Sequence, residues 1–217
     1  MGAHPHPHSH RPPRPAWGEP RPGPVGRLLR RGRELLRTRP AGVRSGIPEL
    51  PLALRRSELA APYLAAEREG DDRRAAAVAV RAMEAAVAAE AWWPADAWAH
   101  RALWHFERAE LTLQATRQAR RIGDLRLAAG DPGSARRYYA EAIDEARDIG
   151  AEHEQGLAAL GLGRAHLDLG QVTTGRRLAS AAIDLLERAE APAIEIEAAR
   201  ALLGTERPVG EGTEEVD

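Results

Sequence analysis

The sequence runs to 217 residues with a formal net charge of −1, and it is 43% hydrophobic but only 4% aromatic, a balance that favours closely packed helices over a large β-rich core. It has no Cys, which excludes disulfides, thiolate metal sites and cysteine nucleophiles. All 31 basic side chains are Arg and Asn is absent as well, which points to a GC-rich bacterial genome and removes Lys as a Schiff-base or phosphate-clamping group.

From the amino terminus, residues 1–50 hold ten Arg against Glu19, Glu34 and Glu49, a charge of +7, while the remainder carries 21 Arg against 29 acids, a charge of −8. Ten of the 16 prolines also fall in this first stretch. Such a segment buries too little apolar surface to offset its ordering entropy, so 1–50 reads as a disordered Pro/His/Arg-rich tail. No run approaches the ~18 apolar residues of a membrane span, and no apolar signal segment opens the sequence, so the chain reads as cytoplasmic. Within "MGAHPHPHSH", loss of Met1 would leave Gly2, Ala3 and His4, whose amine, backbone nitrogens and imidazole suit square-planar Cu(II) or Ni(II). The same residues also read as GC-biased tail with no metal role. His6 stands where a myristoylation signal needs Ser or Thr.

One island interrupts the tail. In 25–39, Leu28, Leu29, Leu35 and Leu36 share a helical face with Arg elsewhere, the pattern of a short amphipathic helix. A basic helix of this kind suits an anionic membrane or nucleic acid. It equally suits packing on the body of the protein, or a solvated arm, and Gly32 weakens it by about 1 kcal/mol relative to Ala.

Residues 52–204 are helical in pattern throughout. Turn signals fall at Gly70-Asp71, Pro94, Gly130-Asp131-Pro132-Gly133, Gly150, Gly170 and Pro192. The stretch 95–129 has no strong breaker and reads either as one long helix or as two with a concealed joint. Aromatics concentrate at 92–106. Trp98 and Phe106 join Ala99, Ala102 and Leu103 in one apolar stripe that reads as core, with Trp104 on another face. Trp92 and Trp93, just before Pro94, are the candidate interface aromatics.

Shifting the chain by 40 residues superimposes 119–149 on 159–189. Nine of the 31 positions are identical, including Gly123/Gly163, Leu127/Leu167, Gly130/Gly170 and Ala142/Ala182, where composition alone gives roughly three. Fixed-period self-similarity marks stacked repeats, in which each helix pair hides its apolar face against the next. Leu162-Gly163 and Ile122-Gly123, then Ala135 with Tyr139 and Ala142, place small residues where two antiparallel helices must approach closely. In these positions the chain resembles the tetratricopeptide-repeat (TPR) family, and the 40-residue period resembles its longer bacterial variants. The family's Trp slot is Ala in both copies and its closing Pro is missing.

The resemblance implies an all-α fold of antiparallel helix pairs stacked as a TPR-like right-handed α-solenoid, with clearest repeats at 116–150 and 156–190 and a cap at 192–203. It also implies that the first helix of each pair lines a concave groove for a protein or peptide partner. On that face the sequence places Arg117, Arg120, Arg121 and Asp124, followed by Arg164 and Asp168 with Leu160 on the next repeat. The Arg cluster suits a carboxylate, while Arg120–Asp124 at i,i+4 spacing suits an ordinary ion-paired face.

No P-loop, glycine-rich dinucleotide turn, zinc-protease or nucleophile-elbow motif is present, and no cofactor is implied. His100 and His105 lie about 140° apart around one helix and cannot share a metal from it. His153 with Glu152 and Glu154 reads as a helix start, and His166 as a satisfied interior residue. The sequence therefore reads as a non-enzymatic peptide- or protein-binding scaffold. The alternative is a regulatory or sensor protein whose Arg-rich arm contacts nucleic acid or another regulator.

Residues 205–217 read as a disordered acidic tail. The final Glu214-Glu215-Val216-Asp217 resembles the tail by which eukaryotic heat-shock chaperones dock into TPR domains. The family's clamp for that tail uses Lys and Asn, both absent here, so self-docking is not expected and a solvated terminus is.

Overall fold

A computed structural model describes residues 50–204, and all regular structure among them is helical. In chain order the helices are α1 (Leu52–Arg55), α2 (Ala60–Glu69), α3 (Asp72–Ala88), α4 (Trp92–Arg108), α5 (Thr112–Ala128), α6 (Pro132–Asp148), α7 (Glu152–Asp168), α8 (Val172–Arg188) and α9 (Ala193–Gly204). Both tails, with the 25–39 island, Gly2, Ala3, His4 and the Glu214–Asp217 terminus, lie outside the described residues.

Helices α3 to α8 are each 17 residues long and begin at twenty-residue intervals. The common length comes from a common stop. Gly70, Glu90, Glu110, Gly130, Gly150, Gly170 and Glu190 all adopt a left-handed backbone, with φ between 51° and 77°. The amide of the following residue then donates back across the turn, as in Leu111 N to Phe106 O (2.9 Å) and Asp131 N to Arg126 O (2.8 Å). This closes the last carbonyls of one helix while reversing the chain into the next. The 95–129 stretch is accordingly two helices, joined at Ala109-Glu110-Leu111. Pro94 marks no break, because it sits in the first turn of α4, where its missing N–H leaves no helical bond unmade.

Consecutive helices pack antiparallel, and α5 also touches α7 as α7 touches α9. The pairs α3–α4, α5–α6 and α7–α8 therefore form three 40-residue units, flanked by a lone second helix (α2) and a lone first helix (α9). The all-α, stacked-pair architecture expected from the period is the one observed. Its interfaces are lined by small residues: Ala135, Ala142, Ala158, Ala165 and Ala182 are fully buried. A Cβ on Gly163 would lie 3.1 Å from the Gly175 carbonyl oxygen, so α7 and α8 meet backbone to backbone. The largest core cluster is at the amino-terminal end, where Tyr63, Met83, Trp98 and Ile122 are buried together. Ala99 and Ala102 are buried with Trp98, and Leu103 and Phe106 pack against that cluster, as the stripe requires.

Candidate functional site

Along one face of α7, one turn apart, stand the half-buried Leu160 and the exposed Arg164 and Asp168. On α5 the residues 40 positions earlier are Arg120, Asp124 and Ala128. These two rows, with Leu127 and Leu157, face a cleft of about 470 Å3 that α9 closes on its far side with Ala198 and Leu202. Tyr139 of α6 forms the floor. Its ring rises between α5 and α7, and it fits because both helices present glycine there: a Cβ on Gly123 would lie 2.8 Å from the ring, and one on Gly161 closer still. Burial and the neighbouring Asp124 carboxylate push the Tyr139 hydroxyl far above the usual phenol range, so it remains a donor. It donates to Asp124 Oδ1 at 2.8 Å, while Arg120 Nη1 donates to Asp124 Oδ2 at 2.9 Å.

Of the sequence-derived groove residues, Arg120, Asp124, Arg164 and Asp168 share this cleft, whereas Arg117 and Arg121 are not among its lining residues. The expected positive cluster is also neutralised. Arg117 Nε donates to Glu154 Oε1 (2.7 Å), Arg120 Nε to Glu154 Oε2 (3.4 Å), and Arg121 Nη2 to Glu84 Oε1 (2.8 Å). Glu154, with its side chain only 6% exposed, reaches from α7 to bind two guanidiniums of α5. It is a strut between repeats rather than merely a favourable acid at a helix start. Its register hints at burial, since Glu154, Ala158 and Ala165 fall on one buried stripe where a carboxylate requires partners, but the sequence does not name those partners.

Arg164 and Asp168 differ from their neighbours. Both are exposed to the cleft, and among the described residues neither makes a hydrogen bond or an ion pair, to each other or to Asp124. The charge in the cleft that remains unsatisfied is therefore one cation and one anion on a single helix.

The histidines among the described residues fall into separate networks. His105 is buried between α2, α3 and α4: its Nδ1 lies 2.7 Å from Asp72 Oδ1, and its Nε2 lies 3.0 Å from the Tyr63 hydroxyl. His100 Nε2 lies 2.8 Å from the Tyr138 hydroxyl on α6, across the α4–α6 gap. His153 Nε2 lies 2.6 Å from Glu195 Oε2, which ties α7 to α9. His166 is not interior. It is half-buried near the end of α7, with Nδ1 2.5 Å from Gln171 Oε1. Among the described residues no group of three or more His, Asp or Glu side chains could hold a metal ion. Trp92 and Trp93 are exposed at the start of α4, at 38% and 57%, while Trp104 carries Arg108 over its ring at 4.5 Å.

No family model matches this sequence, and no curated protein matches it. Among solved structures the chain is similar to RapI in its apo form, with a TM-score of 0.58 and 16% sequence identity, over 69% of this chain and 57% of that one. This chain thus spans a little over half the length of RapI. At that identity the likeness concerns the fold, a helical-repeat solenoid. No helix among the described residues is long and apolar enough to cross a membrane.

Proposed function

We propose that this chain is a non-catalytic scaffold of TPR type that binds an extended protein or peptide segment along the inner face of its first helices, in the cleft between α5, α7 and α9. The observation that carries the reading is the cleft itself: Leu157, Leu160 and Leu202 give an apolar wall beside Arg164 and Asp168, which make no hydrogen bond or ion pair among the described residues. That combination of apolar area for affinity and a few polar groups for orientation is what small recognition sites present. The backbone-to-backbone packing of α7 on α8 and the ring of Tyr139 wedged between repeats fix the α5 and α7 sides of the cleft, which lowers the ordering cost of binding there.

The test is a random-sequence peptide display selection on the full chain. Selected peptides are expected to lose at least tenfold in affinity on Leu160→Arg, measured at a temperature where circular dichroism shows both proteins folded, because Leu160 also packs against the Ala159, Ala182 and Leu186 cluster. Selection of nothing, or of peptides indifferent to Leu160→Arg, rejects the reading. The charge asymmetry of the sequence, +7 over 1–50 and −8 beyond, favours a second reading, in which the same scaffold regulates nucleic-acid or regulator contact by the amino-terminal arm. Salt-dependent DNA binding that vanishes on removal of 1–50 is its signature.

A further inference from the structure

The chemistry of the segment that fits the cleft can be read from α7, given that the groove reading above holds. Leu160, Arg164 and Asp168 are spaced four residues apart, about 6.0 Å per step along a helix axis. Side chains on one face of an extended chain recur every second residue, about 6.4 to 6.8 Å apart. Over the three positions the two rulers differ by roughly 1 Å, within the reach of Arg and Asp side chains. An extended segment lying along α7 can therefore oppose Leu160, Arg164 and Asp168 with every second residue.

The neighbouring helix shows which of these positions still call for a ligand. At the equivalent sites of α5, Arg120 and Asp124 are closed on each other at 2.9 Å, and Asp124 also accepts from Tyr139. The cations beyond the cleft are answered by Glu154 and Glu84. Among the described residues that line the cleft, only Arg164 and Asp168 offer an unanswered positive and an unanswered negative charge, and along α7 they follow Leu160 in that order. A wholly acidic segment meets Asp168, and a wholly basic one meets Arg164; like charges so placed are repulsive and select against both.

We infer that the cleft recognises an extended segment of alternating pattern in which an apolar side chain, an acid and a base occupy successive every-second positions, with the acid between the other two. The apolar residue rests on Leu160 and Leu202, the acid pairs with Arg164 and the base pairs with Asp168. A guanidinium–carboxylate pair can form in either running direction of the segment, so the order apolar–acid–base, not its polarity, is the specificity.

Composition-matched probes isolate this order. Fluorescently labelled, end-blocked heptapeptides carrying Leu-Ala-Glu-Ala-Arg or Arg-Ala-Glu-Ala-Leu between glycines place the acid centrally. Leu-Ala-Arg-Ala-Glu and Glu-Ala-Arg-Ala-Leu place the base centrally, with the same net charge. By fluorescence anisotropy on the full chain, each acid-centred peptide is expected to bind at least tenfold tighter than either base-centred one. The exchange variant Arg164→Asp with Asp168→Arg is expected to invert that preference. Equal binding of the isomers, or a preference that the exchange leaves unchanged, overturns the inference while leaving the groove as a peptide site. If no probe binds although display-selected peptides still depend on Leu160, the pattern is wrong. Failure of the probes and of the display selection together removes the groove reading itself.

Discussion

The most tightly specified polar group away from the cleft is the His105 imidazole. The Asp72 carboxylate can only accept, so Nδ1 carries the proton it receives at 2.7 Å, and Nε2 is left to accept from the Tyr63 hydroxyl at 3.0 Å. Glu67 Oε1 stands 3.1 Å from the same hydroxyl and competes for its one proton. Arg108 Nε closes the far end on Asp72 Oδ2, and Arg101 lies one turn before His105 on α4. Burial lowers the His105 pKa from its ordinary value of 6.5, and it outweighs the opposite pull of Asp72 and Glu67. The consequence for stability has a definite sign. Above 6.5 the imidazole is neutral in folded and unfolded chains alike, and the network is intact. As pH falls below 6.5 the unfolded chain takes up a proton that the folded chain refuses, so stability declines until the lowered folded value is passed. Urea midpoints measured at pH 7.5 and 5.5 should therefore fall further for the natural protein than for His105→Gln, which keeps a donor and an acceptor but does not titrate. Equal losses in the two proteins would mean that His105 contributes nothing to the acid sensitivity.

At the scale of single helices, the repeated left-handed stop is the governing device, and three of its seven positions carry Glu instead of Gly. An L residue in that conformation costs about 1 to 2 kcal/mol, and glycine's greater freedom in the unfolded chain returns about 0.4 to 1 kcal/mol of any gain from replacing it. Glu110→Gly, at φ 57°, is thus expected to stabilise the protein by roughly 0.5 kcal/mol, and Gly130→Ala, at φ 77°, to destabilise it by about 1 kcal/mol. Denaturant midpoints at constant m-value decide both, and a stabilising Gly130→Ala would contradict the account. The same three glutamates explain what could be read in the sequence. The 40-residue period was visible because equivalent helices bury equivalent faces, so Gly123/Gly163 and Ala142/Ala182 recur. The underlying twenty-residue step was hidden, because first and second helices bury different faces and Glu90 and Glu110 carry no turn signature. In the cleft, Arg120, Asp124, Arg164 and Asp168 were legible through helical spacing plus that period. Glu154 was not, because its partners lie on another repeat, and neither were Ala198 and Leu202, because no identity fixed the register of α9.

Across the whole molecule, a stack in which each helix pair leans mainly on its neighbours has no reason to be uniformly stable. The amino-terminal units share a continuous cluster built on Tyr63, Met83, Trp98 and Ile122, whereas the carboxy-terminal cluster is Ala159, Ala182, Leu186 and Ala199. Helix α9 buries Ala199 fully, leaves Ile194 78% exposed, and is tied down by His153–Glu195 and by Arg200–Glu187 at 2.8 Å. Solvent-exposed pairs of that kind are heavily screened and hold a helix only weakly. Native-state hydrogen exchange should then find α9 opening at a small fraction of the free energy that governs α3 to α5. That same helix supplies Ala198 and Leu202 to the cleft, so a ligand held there as proposed is coupled to its closure. A peptide that binds the closed form alone, present at 100 times its Kd, should raise the opening free energy of α9 by about 2.7 kcal/mol, up to the ceiling set by global unfolding. Protection that rises in α5 and α7 but not in α9 would place the ligand elsewhere on the inner face. Uniform exchange from α3 to α9 without ligand would show that the stack unfolds as one cooperative unit and that its last helix is no gate.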